Sequence, residues 1–324
     1  IEGLIFIALS IFDVREKIIN SIPINVKRAI SVGVGLFIAF IGLQNAGIVV
    51  TDEATLVSLG DMTSGAAMLG MIGLFVIGTL LALKVKGAII LGILATTILG
   101  FPLGITSLPS GSWLPPSLAP TFGQFDFSML FTLDMLVVIA TFLFVDIFDT
   151  AGTLIGVTTK GNLLDENGNV PKAKQALLAD SIGTTLGALL GTSTITSYIE
   201  SSSGMAEGGR TGLTSLTVGV LFLLSMFLSP LFLMVPSAAT AAALIAVGLF
   251  MSSTIKDIDF VDYTEAIPAF MTIIMMPLTY SISEGIMFGV VSYAGLKLLT
   301  GRYKEATKVA YVLAALFVVW FAVG

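Results

Sequence analysis

The sequence predicts an all-α, polytopic membrane protein, and three observations predict it. Of the 324 residues, 56% are hydrophobic and 11% are charged, against about 25% charged in soluble domains. Mean hydropathy is +1.02. The apolar residues form continuous runs near the length that crosses a bilayer as helix, and they lack the period-two alternation of a β-barrel. A lipid bilayer is therefore the first partner the chain requires.

The runs fall at 1–12, 29–50, 66–83, 87–105, 129–157, 176–191, 212–235, 238–253, 266–281, 285–299 and 308–323. The first opens inside an apolar segment, with no Met and no signal-peptide pattern, so the expectation is that the native N-terminus lies upstream. Arg15, Lys17, Lys27 and Arg28 share the loop before 29–50. The next loop, 51–65, has no Lys or Arg and carries Asp52, Glu53 and Asp61. Lys84 and Lys86 follow 66–83, and 106–128 again has no basic residue. Lys160, Lys172 and Lys174 share a loop, Arg210 follows the polar stretch, and Lys256, Lys297, Arg302, Lys304 and Lys308 complete the set. Basic loops thus alternate with loops lacking Lys and Arg, which is the positive-inside pattern of a multi-pass protein of the cell membrane. The alternation holds only if 192–209 also crosses; the bland alternative is an extracellular loop beside a re-entrant turn.

That segment, "TSTITSYIESSSGMAEGG", is polar and rich in β-branched residues. It reads as extended chain followed by a half-helix from Ser202, Ser203 and Gly204 onward, with serines as caps. Non-helical backbone survives at membrane depth only when buried in protein or lining a wet cavity, and transporters build midplane substrate sites from such broken helices. Glu200 lies at the break, beside Ser201 and Ser202. A second polar site lies in "FLFVDIFDTAGTLIGV", where Asp146 and Asp149, with Thr150 and Thr153, interrupt an apolar run. Acids spaced i, i+3 share a helix face, and a charge at a helix centre costs about 2.5–3.5 kcal/mol to insert. One of the two acids is a candidate to bond the broken backbone. Asp180, with Ser181, Thr184 and Thr185 nearby, reads as structural.

Composition excludes several chemistries. With no Cys there is no disulfide and no thiolate. With no His the usual metal ligand and proton shuttle are missing, so a proton carrier must be Asp, Glu, Lys or Tyr. No metal or cofactor is expected, and no basic patch suggests nucleic acid. No Lys or Arg falls in a predicted span core, which disfavours an anionic substrate. Acceptor-only carboxylates suit a solute with N–H donors, or a cation. An enzyme, an intramembrane aspartyl protease using Asp149 and Glu200, would also pair two acids, but no Gly-x-Gly-Asp or Tyr-Asp signature marks the spans. Val34-Gly35-Leu36-Phe37 recurs as Val247-Gly248-Leu249-Phe250, 213 residues on. An internal repeat of that period would put the counterpart of the broken span before residue 1.

Three stretches, "GLFIAFIGLQNAG", "DIFDTAGTLIGV" and "ALLADSIGTTLGALLGTSTITSYIESSSGMAEGGRTGL", resemble the AzgA-like adenine/guanine/hypoxanthine permeases, a branch of the nucleobase–ascorbate and xanthine–uracil transporter superfamily. The resemblance covers the whole chain. It implies two inverted seven-span repeats arranged as a core and a gate domain, with two broken spans carrying short strands, one of them absent here. On that pattern 1–12 ends core span four and 13–105 holds gate spans five to seven. Core spans eight to eleven occupy 129–235, gate spans twelve to fourteen occupy 238–299, and 300–324 is a C-terminal extra. It further implies proton-coupled purine uptake by a symporter that is not an enzyme, with a homodimer possible through the gate. The base would be bound by Glu200 and Asp149, with Asp146 competing for the latter role, and by Thr150, Ser201 and Ser202. The proton would be carried by Asp149, Asp146 or Glu200. Phe144 and Phe148 are candidates to stack on the ring, or to pack. Arg210 is expected to cap the half-helix or pair with Glu207, and Gln44 and Asn45 to face the cavity or bond between helices. A uracil or xanthine carrier of the sister branch is the alternative.

Overall fold

In the computed structural model, residues 1–323 are described except Pro116, Met129 and Phe131. Met129, where the expected core block begins, and Gly324, where the C-terminal extra ends, lie outside the described residues. Helices make up most of the chain, as backbone in lipid requires. In order, the elements are α1 (Glu2–Ile11), α2 (Val14–Ser21), α3 (Ile24–Asn45), β1 (Val49–Asp52), β2 (Leu56–Leu59), α4 (Gly65–Ala82), α5 (Ala88–Leu99), α6 (Leu133–Lys160), α7 (Ala173–Leu190), α8 (Ser201–Ala206), α9 (Gly212–Ser225), α10 (Ser229–Leu233), α11 (Ser237–Ser252), α12 (Tyr263–Thr279), α13 (Ile282–Leu299) and α14 (Lys308–Val323). Among the described residues, six helical stretches are long and apolar enough to cross a membrane: Ile24–Asn45, Gly65–Ala82, Val138–Lys160, Gly212–Leu233, Ser237–Asp257 and Ile282–Leu299. Each apolar run read from the sequence holds a helix among the described residues, though 29–50 ends in the first strand and 87–105 in a turn. The molecule is an all-α polytopic membrane protein.

The chain divides into two compact units, and the division cuts α3 after Val34 and α11 after Phe250. The first unit holds residues 1–34, 117–199 and 251–324. Its helices approach closely where small residues meet, as membrane helices do. A Cβ on Gly3 of α1 would strike Thr185 Oγ1 and come within 2.9 Å of the Thr185 amide on α7. Gly285 and Gly289 of α13 sit in the same way against Met276 and Thr272 of α12. Buried Ala29, Val32, Ile258, Ala269 and Ile273 form a small apolar cluster. At one end, buried Lys297 of α13 reaches Thr264 Oγ1 (2.9 Å), Glu265 (2.8 Å) and Glu305 (2.8 Å). Arg302 pairs with Asp262 (2.6 Å) and Glu305 (2.8 Å). Its guanidinium is the main cause that holds both the Asp262 and the Glu305 carboxyl down to about 2.

The second unit holds residues 35–116 and 200–250. Its core joins Ala46, Ile48, Ala67 and Ala241, and a second cluster gathers Ile77, Ala242, Ala243 and Ala246. Gly73 and Gly92 let α4 and α5 meet at Thr96 and Ile77. The acidic loop after α3 folds as an antiparallel hairpin, Val49 opposite Leu59 and Asp52 opposite Leu56, its turn fixed by Asp52 Oδ1 accepting from the amides of Ala54 and Thr55. The apolar side chains of the run Gly212–Leu233 are almost all exposed.

The break after α7 differs in one detail from the reading of residues 192–198 as a short strand. They carry no ladder, and β1 and β2 form the only sheet among the described residues. A strand needs a partner, and the polar groups here bond to α7 instead. Gly191 stops that helix at φ 86, a conformation that favours glycine, and the Thr192 amide returns to Gly187 O (2.9 Å). Thr184 Oγ1 donates to Ile195 O (2.8 Å), accepts from the Ile195 amide (3.3 Å) and lies 3.3 Å from Thr194 Oγ1.

Candidate transport site

Helix α6 carries the acid pair. Thr132 starts it, its hydroxyl accepting from the Met135 amide (3.3 Å), and the apolar run from Leu136 to Val145 carries it into the membrane region before Asp146. The two acids then meet different surroundings, although one turn of helix separates them. Asp149 is half-buried and accepts a 2.7 Å bond at Oδ1 from Ser283 Oγ, while the Ser283 amide also bonds it. Ser283 belongs to the first turn of α13, whose aligned peptides favour a negative charge at that end. Asp149 is therefore a fixed, well-bonded acceptor. Asp146 is 4% exposed, and its Oδ2 is buried with no hydrogen-bond partner.

Behind the pair, Asp180 of α7 is held by Arg15 of α2. The pair is 3.3 Å apart, and both side chains are 1% exposed. Arg15 also donates to Ser181 Oγ (2.9 Å) and lies over the Phe6 ring at 4.1 Å. Thr150, fully buried, points its hydroxyl at Asp180 Oδ2 at 3.5 Å. Asp180 also accepts from the backbone amide of Ser197. The acid that bonds the broken backbone is thus Asp180, not a member of the α6 pair, and its structural reading holds.

Phe148 is 2% exposed, with Phe144 at 5.2 Å and Phe317 at 4.9 Å, while Trp320 stacks on Phe144 at 4.3 Å. Of the two roles raised for these phenylalanines, the structure shows packing, and the partners come from α14. The Trp320 side chain also hydrogen-bonds Glu284.

In the second unit, Glu200 stands exposed as the N-cap of α8, and its side chain makes no capping bond. Its carbonyl instead accepts from the Ser203 amide (2.9 Å) and hydroxyl (2.7 Å). Ser201 is exposed, and Ser202 is fully buried with an unpartnered hydroxyl. The half-helix starts at Ser201, one residue before the expected start, and no side chain caps it. Arg210 is exposed and, among the described residues, makes no ion pair with Glu207. Gln44 and Asn45 end α3, the latter exposed. A separate cavity of about 420 Å³ opens near the C-terminal end of α6, lined among others by Arg28, Thr159, Asn162, Asp165 and Asp257. Thr159 lies ten residues beyond Asp149, about 15 Å along a helix.

Sequence reasoning missed Arg15 and Ser283. Each partner is more than 130 residues away, and neither residue stands out from its own segment.

Comparison with known proteins fits this architecture. The model of the family Xan_ur_permease, described as the Permease family, matches residues 1–288. The guanine/hypoxanthine permease PbuG of Bacillus subtilis (strain 168) is 47% identical over 99% of this chain and 73% of its own length. The adenine permease AdeP of Escherichia coli (strain K12) is 46% identical over 96% of this chain and 70% of its own. The adenine permease AdeQ of the same organism is 43% identical over 95% and 70% respectively.

Proposed function

Because the chain belongs to the Xan_ur_permease family of permeases, and is therefore a multi-pass membrane transporter and not an enzyme, we propose that it takes purine nucleobases into the cell across the cytoplasmic membrane together with protons. The observation that carries this is the pair of membrane-embedded acids on α6, Asp146 and Asp149, in a chain whose relatives at 43–47% identity are named for adenine, guanine and hypoxanthine. A purine presents ring and exocyclic N–H donors, and carboxylates are acceptors only.

Glu200 accepts hydrogen bonds from the purine N–H groups. The Ser203 amide is already bonded to Glu200 O, so the amides of Ser201 and Ser202 serve the ring acceptors. Asp149, kept in one place by Ser283, takes a further N–H, and Thr150 stands behind it. A proton on one of the acids, together with the bound base, neutralises the site. That lets a core block (129–235) move against a gate built from 13–105 and 238–299. Homodimerisation through the gate belongs to the same reading.

The test is Glu200→Gln. An amide keeps the shape but replaces a charged acceptor, and hydrogen bonds to charged groups contribute about 1.5–3 kcal/mol. Uptake efficiency for a purine is expected to fall roughly tenfold to 150-fold with the protein still in the membrane. Unchanged uptake would sink the scheme.

A further inference from the structure

Helix α14 lies beyond the two seven-span repeats that the sequence suggests, yet it is tied down along its length. The turn before it is fixed by Glu305, which pairs with Lys297 and with Arg302, each at 2.8 Å. From there α14 runs back along α13, so that Phe321 meets Phe288 with 4.8 Å between ring centroids. Phe317 is fully buried against Phe144 (5.8 Å) and Phe148 (4.9 Å) of α6. Trp320 stacks on Phe144 at 4.3 Å with 20° between the planes. Its indole N–H, the one polar group of that side chain, bonds Glu284 of α13. Trp320 therefore holds two helices at once.

Those two helices meet at Asp149. Ser283, the neighbour of Glu284, donates to Asp149 Oδ1 at 2.7 Å and lies 3.2 Å from Val145 O, one turn earlier on α6. One turn later, Gly152 lets α13 approach so closely that a Cβ there would strike Ile282 and come within 3.2 Å of Ile286. Within α13 the first turn is tied by the Ser281 hydroxyl, which accepts from the Glu284 amide at 3.2 Å. Trp320 ties the same turn from outside. Apolar packing on Phe144 needs only a ring, so it leaves the N–H aimed at Glu284 unexplained. A polar group left unmet in an apolar setting costs about 1–3 kcal/mol, and the bond therefore fixes ring and carboxylate together.

We propose that α14 is a clasp for the transport site, in which Trp320 and Glu284 hold the first turn of α13 against α6 and so keep Ser283 on Asp149. Both are positioning residues that act through Ser283 and do not touch the purine. Phe317 supplies the apolar seat that keeps α14 on α6. The clasp rests on purine transport as the function, with Asp149 serving the base.

The test measures initial uptake of labelled hypoxanthine against concentration, with the full-length product in proteoliposomes. Trp320→Phe keeps the stack and removes the donor. Its KM is expected to rise roughly threefold to tenfold, within the range of coupling between residues in contact. Turnover per transporter should stay within about twofold, the pattern of lost binding and not of lost fold. Ser283→Ala should raise KM at least as far, and the double variant no further than Ser283→Ala alone, because Trp320 works through that hydroxyl. Glu284→Gln keeps an acceptor oxygen for the indole and should stay near the parent, while Glu284→Leu should follow Trp320→Phe. An unchanged KM in Trp320→Phe overturns the clasp. So do single effects that multiply in the double variant, a loss confined to turnover, or Glu284→Gln as impaired as Glu284→Leu. A second readout needs no substrate. In a form that keeps Trp320 as its single tryptophan, Ser283→Ala should move the emission maximum, since the stack on Phe144 loosens with the turn it holds. Unchanged emission there also overturns the clasp. A parent that takes up no hypoxanthine, with emission still shifted by Ser283→Ala, counts against purine transport and leaves the clasp standing.

Discussion

Replacing Arg15 by methionine removes the guanidinium that ties α2 to α7. Exposed ion pairs contribute about 0–1 kcal/mol, but here both side chains are 1% exposed, so that discount does not apply. Removing one member of a buried pair strands the other and costs about 3–5 kcal/mol. Ser181 does not add to this loss, because its hydroxyl keeps a 2.6 Å bond to Leu177 O. Adding Asp180→Leu removes the stranded charge. Replacing a whole buried pair by apolar residues is often neutral or better, so the double variant is expected to recover about half of the loss or more. Recovery is incomplete because Glu2 and Asp146 still lose the cation nearby. Denaturant unfolding of the purified protein in micelles measures this, followed by tryptophan fluorescence, since Trp320 stacks on Phe144 in the same unit. An Arg15→Met loss below about 1 kcal/mol, or a double variant equal to the sum of the singles, would refute the reasoning.

Three further outcomes follow from the geometry. Gly289→Ala drives a methyl into Thr272 Oγ1, with Thr272 Cβ at 3.2 Å. Overpacking of that kind costs about 1–3 kcal/mol, and a thermal melt should show the loss relieved in part by Thr272→Ala. Thr184→Val strips the Ile195 carbonyl and amide of their part-buried bonds to α7, at about 0.5–1.5 kcal/mol for each bond lost, and proteolysis should then cut 192–198 faster. Asp262 and Glu305 are held at about 2 by Arg302, below the roughly 3.9 and 4.3 of free carboxyls. A depressed folded-state value gives stability that is present above about pH 4 and lost as pH falls toward about 2. Melting temperature should therefore drop across that window, and less so in Arg302→Gln. An equal drop in both proteins would show that the lock contributes nothing.

Much of the fold was legible because lipid imposes simple rules. Each apolar run holds a helix among the described residues, while the crossing that the Lys and Arg alternation asks of 192–209 stays an expectation. The two α6 acids were visible as charges where charge is costly. What escaped was pairing across long sequence distances. Residues 13–21 read as a basic loop, and nothing local separates Arg15, which is buried, from Lys17, which is not. Ser283 is one serine among several, and only the fold turns the start of α13 toward Asp149. The role of 308–323 was opaque for the same reason: Phe317 and Trp320 are ordinary apolar residues until they meet Phe144 and Phe148. The expected strand at 192–198 failed because β-branched composition supplies propensity but no partner.

The central claim is proton-coupled purine transport. Its most direct test is initial uptake of labelled hypoxanthine by the full-length product in cells lacking purine carriers. Adenine, guanine and uracil serve as competitors, with and without a protonophore. The account predicts uptake inhibited by purines and abolished by the protonophore. Uptake blocked by uracil alone, or indifferent to the proton gradient, would contradict it.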